Sequence, residues 1–489
     1  MVALLTAVAA SAAQPDALLS ARDRLGGAEL KTLRFAAVGT RFASGQPTRS
    51  AEPLLPARTI RSFEAAIDFA SGSMTIEQTQ ISPTAGLAGN DDASNFTEDE
   101  HSIVAISGNF AWQVTARIAG GGTGPSVAVP QTAAVLDRQL WLWAGTPQGV
   151  LRAAAGGTAH TVPGGTEVSF TVGGHYRAKA FINDLGQVQQ FETTLPDEAL
   201  GDKPVVFHYT GYRRIGGIQF PSVITESEGG LPVVYLAVTG VQPDAQVQIE
   251  VPDSVRNFSP PPMTVTVISQ KLAEGVYWLN GGTHHSMAVD MGDHVVMVEG
   301  PLSEARAEAV IAETKKLLPG KPIRFVINTH VHSDHAGGLR TYVAAGAMII
   351  THTVNRAFYE RIWAAPWTLQ PDRLARSGAH ARFMTVDDHA DLKGRNGRVV
   401  SLYLIQGNPH NEQNFMVWLP AERILFQSDM LNRPMAGKSV AKPGPSVINF
   451  YENLQRLNLK PAQIVGGHGP NLLTMADIEA AAGKTGAGP

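Results

Sequence analysis

No cysteine occurs at any of the 489 positions of the chain. That absence removes disulfides, thiolate metal ligands, cysteine nucleophiles and a lipid-modified cysteine anchor in one step. Charge is also scarce: 17% of residues are charged, the net charge is −4, and no long Lys/Arg block occurs. The electrostatic footprint of a nucleic-acid binder is therefore missing. No segment approaches the about 20 consecutive apolar residues of a membrane-spanning helix. What is plentiful is apolar material, 44% of the chain, which predicts a soluble globular protein with packed interiors. The length exceeds one ordinary core and predicts about two to three domains.

Residues 1–13 form a short apolar run ending in small residues, as a signal peptide with its cleavage site would, although a basic leading region is lacking. The expectation is a periplasmic or secreted protein, or a cytoplasmic one if this run is not a signal. The sequence Phe258-Ser-Pro-Pro-Pro-Met263 interrupts patterned sequence as an extended linker does. It divides the chain into an N-terminal domain over 14–255, a linker over 256–263 and a C-terminal domain over 264–489.

The two halves carry different patterns. In the first, apolar and polar residues alternate over 59–70, 73–82, 166–171 and 205–212, punctuated by turn signals such as Gly216-Gly217 and Gly229-Gly230. This predicts a mainly antiparallel β-rich domain, with helix over 132–155 broken at Gly145 and Pro147, and a loop over 86–95. After the linker, strands are expected over 265–268, 275–279, 287–290 and 294–298. A helix capped by Ser303 follows, then a buried strand over 323–328. Helices over 338–345 and 353–363 flank a strand over 347–351, residues 370–396 read as irregular, and strands over 398–405, 413–419 and 423–427 precede a helix over 446–458. A strand over 463–466 and a closing helix from 473 complete an α/β layout.

Eleven of the fifteen histidines lie after residue 280. The strand over 323–328 delivers His330-Val-His332-Ser-Asp334-His335 to its C-terminal end, where a tight loop can turn four side chains toward one place. Two metal ions can share them, His330 and His332 on one, Asp334 and His335 on the other. Imidazoles and carboxylates without thiolate suit Zn²⁺.

This half resembles the metallo-β-lactamase superfamily of hydrolases, whose HxHxDH signature is followed by a lone His, an Asp or Cys, and a last His, each after a strand of an αβ/βα sandwich. Here the further positions are His410 in Gly407-Asn-Pro-His-Asn411, Asp429 in Leu425-Phe-Gln-Ser-Asp429 and His468 in Val465-Gly-Gly-His-Gly469. The resemblance implies that a first metal takes His330, His332 and His410, that a second takes Asp334, His335 and His468, and that Asp429 bridges them. It further implies two zinc ions per chain, with Mn or Fe able to occupy similar sites, and cleavage of a small-molecule carboxylic ester, lactone or amide by metal-bound hydroxide, with Asp334 and Asp429 in the catalytic set. Asp429 excludes the β-lactamase class with a bridging Cys and makes the site look more like glyoxalase II and the acyl-homoserine lactonases. Those lactonases place a Tyr three residues after the bridging Asp, where this chain has Asn432.

Around that site, His284 and His285 in a predicted hairpin loop, together with Asn432 and Tyr451, are the candidate substrate contacts. A polar turn for the two histidines and a packing role for Tyr451 are the alternatives. His352 reads as a helix cap. Trp363, Trp367 and Phe358 are candidates for an apolar wall or for core packing. The stretch 201–221 weakly resembles the curved half-barrels of periplasmic lipoprotein carriers, which implies a concave apolar surface for an acyl chain or for dimerisation into a homo-oligomer. Two further readings stand beside the ester or lactone hydrolase: β-lactam hydrolysis, and a periplasmic protein that binds lipophilic ligands and carries a non-catalytic metal site.

Overall fold

The computed structural model describes residues 16–26, 29–42, 45–49, 56–81, 100–117, 127–260, 265–431, 444–469 and 472–484. The run 1–13, the loop over 86–95 and Asn432 lie outside the described residues.

Among the described residues the N-terminal half is built on a 13-stranded antiparallel sheet. The first strand, Thr32–Phe42, sits inside it, between Pro56–Asp68 and Leu231–Pro243. Alternation explains which face is covered: Leu33, Phe35 and Ala37 point inward while their neighbours are more exposed. Onto that face pack the helices Asp16–Arg24, Val135–Ala144 and Pro147–Ala153, contributing Leu18, Leu140, Trp141, Val150 and Leu151 to one core with Phe63, Phe191, Phe207 and Phe220. The predicted break in the helical run falls at Gly145, and the second helix starts with Pro147 at its first turn behind the cap Thr146. The apolar face is thus filled by the domain's own helices. The short helix Asp253–Arg256 sets Val255 against Ala105 and Trp112, so the N-terminal packing unit runs up to the proline segment.

Among the buried polar residues of this half is a carboxyl, Glu226. Glu226 accepts a hydrogen bond from Trp141 Nε1 at 3.2 Å, and burial lifts its carboxyl from 4.5 to about 8. The folded protein holds a proton that the unfolded chain loses, so this group's contribution to stability falls as pH rises from about 4.5 to about 8 and is flat above, at roughly 1.4 kcal/mol per unit. Glu226→Gln is therefore expected to raise the unfolding temperature at about pH 8.5 and to change it little at about pH 5. A thermal shift independent of pH would contradict this account.

The C-terminal half stacks two sheets. A 7-stranded sheet runs in chain order from Ile268–Ala273 to Phe383–Val386, antiparallel at first and parallel from Val295–Val298 onward. A 5-stranded sheet runs from His389–Lys393 to Gln463–Gly466. Trp278, Met287, Val289 and Val298 of one meet Val400, Leu402, Phe415 and Val417 of the other in a dry interlayer. Helices Glu304–Leu317, Leu339–Ala344 and Thr353–Trp363 cover the outer face of the first sheet, and Pro445–Arg456 and Met475–Ala481 that of the second. The result is an αβ/βα sandwich behind a large β-rich domain, as the sequence predicts.

Two local expectations fail. The first strand lies at Ile268–Ala273 and not over 265–268. The stretch read as irregular holds the helix Arg373–Ser377 and the strands Phe383–Val386 and His389–Lys393. Each is short, and the last is exposed at alternate positions with no continuous apolar run, so periodicity gives it no signal. Among the described residues no helix is long and apolar enough to cross a membrane.

Candidate metal centre

The strand Ile323–Ile327 ends at Asn328, whose side chain fixes the exit: its Nδ2 donates to His330 O at 2.6 Å, and its Oδ1 accepts from Tyr359 OH at 2.7 Å. His330 and His332 lie in the loop that follows, and Asp334 and His335 on the short helix Ser333–Ala336. Two glycines come next because the chain is crowded there: a Cβ at Gly337 would lie 1.8 Å from Leu302 O. His410 comes from the loop between Val399–Leu404 and Phe415–Leu419, Asp429 from the end of Ile424–Gln427, and His468 from the end of Gln463–Gly466. Asp429 holds φ at +67°, a left-handed conformation rare for a non-glycine residue. The side chain of Gln427 locks that turn, its Oε1 accepting from Met430 N and its Nε2 donating to Leu431 O.

The side chains converge into two groups: His330, His332, His410 and Asp429, and His284, Asp334, His335 and His468. In the first, His330 Nε2 lies 3.2 Å from His410 Nε2, and both lie 3.3 Å from Asp429 Oδ2. Asp429 also reaches the second group, with Oδ2 2.8 Å from His335 Nε2 and Oδ1 2.9 Å from His468 Nε2. One carboxylate therefore touches both clusters.

Hydrogen bonds behind the rings set which nitrogen faces inward. Glu299 Oε2 accepts from His335 Nδ1 at 2.6 Å, leaving Nε2 toward Asp429. His332 Nε2 donates to Pro47 O at 3.1 Å, while its Nδ1 is buried with no hydrogen-bond partner among the described residues. A buried ring nitrogen aimed into a cluster of imidazoles and carboxylates fits a metal ligand. Electrostatics point the same way. Burial pushes His330 down to about 4 and His332 well below the usual imidazole range, so both rings are neutral donors at pH 7. Burial works to raise Asp429, yet His335 and His410 hold it well below the usual carboxylate range. Burial likewise opposes ionisation of Asp334, which the hydrogen bond from His284 and the charge of His335 hold well below that range. The centre thus pairs the neutral imidazoles of His330 and His332 with ionised carboxylates, donors that suit a divalent cation.

Residues 279–468 match the model of the metallo-beta-lactamase superfamily. This segment is a metallo-beta-lactamase superfamily domain. Two curated relatives are both N-acyl homoserine lactonase AttM. The one from Azorhizobium caulinodans is 26% identical over 210 residues, 40% of this chain and 77% of that protein. The one from Rhizobium johnstonii is 28% identical over 161 residues, 30% of this chain and 59% of that protein. Among solved structures, a metallo-beta-lactamase from Pontibacter korlensis is 18% identical, covering 45% of this chain and 98% of its own, with a TM-score of 0.34. One from Hirschia baltica is 22% identical over 45% and 97%, also at 0.34. These likenesses support a metal-dependent hydrolase activity carried by the segment 279–468.

The remaining predicted residues of the metallo-beta-lactamase domain separate. His284 stands inside the second group, its Nε2 3.0 Å from Asp334 Oδ2. His285 is buried away from it: its Nε2 donates to Gly469 O at 2.8 Å and its backbone N to Gly467 O, and burial lowers the ring to about 4. It anchors the loop that carries His468. Tyr451 packs against the core between Pro445–Arg456 and the second sheet. His352 caps the helix Thr353–Trp363, accepting from Val354 N. Trp363 stacks with Phe383 and packs at a tilt against Tyr359, and Arg340 lies 3.7 Å over the Trp367 ring. Trp363, Trp367 and Phe383 border a cavity of about 520 Å³ that shares none of its lining residues with the metal groups.

Sequence reasoning missed Glu299, Gln46, Pro47 and Arg306. Arg306, 2% exposed, donates to the carbonyls of Thr266, Leu279, Asn280 and Gly281 and so ties down the hairpin that presents His284. A Ser-Glu-Ala-Arg helix start announces a cap but not this role.

Proposed function

We propose that the chain is a binuclear zinc hydrolase acting on a carboxylic ester, lactone or amide, with His330, His332 and His410 holding one ion, Asp334, His335 and His468 the other, and Asp429 shared. The observation that carries this reading is the reach of Asp429 into both groups. Two zinc ions so held would supply a water acidified to near neutral pH and electrophilic polarisation of a carbonyl oxygen. The chain's own contribution is orientation and exclusion. Glu299 and Thr329 fix the rings of His335 and His330, Thr329 Oγ1 lying 3.0 Å from His330 Nδ1. Burial of His330, His332 and His335 keeps bulk water off the ligand atoms. His284, on the hairpin at the second group, is placed to meet a substrate oxygen or nitrogen there. The two lactonases among the relatives favour a lactone as the first substrate class within this reading.

The test is a panel of chromogenic esters, aliphatic lactones, amides and a cephalosporin, assayed with zinc-reconstituted protein before and after chelator treatment. Turnover of a lactone or ester that the chelator abolishes and zinc restores is the expected result. Turnover confined to the cephalosporin would replace the substrate class, and turnover unaffected by metal removal would overturn the mechanism. The filled inner face of the N-terminal sheet speaks against the lipophilic-carrier alternative.

A further inference from the structure

The metal ligands all belong to the C-terminal domain, yet residues 45–49 of the N-terminal domain lie against them. Gly45 O accepts from Ser333 N at 2.9 Å, and Gln46 Nε2 donates to Asp334 Oδ1 at 2.8 Å. Pro47 O accepts from His332 Nε2 at 3.1 Å and from Asn411 Nδ2 at 2.8 Å. Thr48 O accepts from Glu412 N at 2.9 Å, and Arg49 pairs with Glu412. Every residue of this segment therefore bonds either to the loop of His332–His335 or to the loop of His410, and it ties one to the other. We propose that this segment is a positioning element of the metal centre, which makes the N-terminal domain a structural part of the hydrolase site.

Two bonds carry the argument, which rests on the binuclear reading above. A carbonyl oxygen only accepts, so Pro47 O requires the proton of His332 on Nε2 and leaves the lone pair on Nδ1. Nδ1 is the buried atom with no partner among the described residues, and the segment thereby selects the ligating nitrogen. Gln46 holds one oxygen of Asp334 while His284 approaches the other at 3.0 Å, so the carboxylate plane is set from both domains. The approach is close. Gly45 has φ +72°, and a Cβ there would lie 2.8 Å from Ser333 Oγ. Pro47 itself is buried. A separate clamp keeps the domains in register: Asp202 accepts from Thr368 N, Thr368 Oγ1 and Leu369 N, and its own N donates to Pro366 O.

The experiment uses the full chain carrying Gln46→Ala or Gly45→Val, titrated with zinc against a chromogenic chelator, with the cobalt-substituted visible spectrum recorded in parallel. Gln46→Ala is expected to weaken one of two zinc equivalents by about 10- to 100-fold and to leave the unfolding temperature of the metal-free protein unchanged. Gly45→Val, which pushes Pro47 away from His332, should weaken the other equivalent and alter the cobalt bands. Should Gly45→Val not fold, Gln46→Ala still decides. Wild-type affinity and spectrum in Gln46→Ala overturn the proposal. Wild-type protein that binds no zinc overturns instead the reading of the site on which it rests.

Discussion

Asp429→Asn is expected to lower metal-dependent turnover by about three orders of magnitude, the equivalent of about 4 kcal/mol of transition-state stabilisation, and to leave less than two equivalents of zinc bound. The carboxylate sits between the two groups, within 3.3 Å of His330, His335 and His410 through Oδ2 and 2.9 Å of His468 through Oδ1. It is 6% exposed, and its surrounding imidazoles keep it ionised. Two cations brought close together repel strongly in a poorly solvated site, and a shared anion offsets that repulsion. Asparagine keeps the shape and removes the charge. The positive φ of Asp429 supplies a control: Asp429→Gly relieves the backbone conformation, although it also removes the pairs with His335 and His468, and should be as inactive as the Asn variant. Activity rescued by glycine would show that backbone geometry, and not the bridging charge, is what the position provides. Full zinc stoichiometry and turnover in Asp429→Asn would remove Asp429 from the bridge.

How far the sequence reaches is visible in which partners it reveals. The residues that gather into the two groups were legible because the expected positions lie beyond strand ends, and because a four-residue cluster in His330–His335 has few purposes other than ligation. The bonds that orient those ligands were not. Glu299 is 36 residues from His335, and Pro47 and Gln46 are 285 and 288 residues from His332 and Asp334. Nothing in local composition marks a carbonyl that will meet an imidazole that far along the chain. The N-terminal sheet shows the same division. Alternation located the strands of 56–68 and 73–81 nearly to their ends, yet pairing of Thr32–Phe42 with Leu231–Pro243 depends on closing the whole domain. Asn432, aligned with a lactonase tyrosine, lies outside the described residues.

Glu299→Gln is expected to weaken zinc binding by about 10- to 100-fold, with kcat/KM falling in proportion when zinc is limiting. Glu299 is fully buried at φ +69° directly after the strand Val295–Val298, and its two oxygens serve different donors: Oε2 takes His335 Nδ1 at 2.6 Å and Oε1 takes Thr329 N at 2.7 Å. Glutamine offers one oxygen and one NH₂, so whichever way the amide turns, a donor faces a donor. If the oxygen stays on Thr329, His335 loses the acceptor that holds its proton on Nδ1, and the ring can present the wrong nitrogen to the site. If it stays on His335, the Thr329 N–H is left unpaired in a dry interior, at a cost of about 1–3 kcal/mol, and the peptide leading into His330 shifts. The charge is lost in both cases. Glu299 and Asp429 together hold His335 well above the usual imidazole range against the opposing effect of burial, so removing the Glu299 charge also makes the surroundings of that ring less negative. The measurements are zinc competition and thermal unfolding of the metal-free protein, and both should fall. A Gln variant that keeps wild-type zinc affinity would mean that Asp429 and the fold alone orient His335.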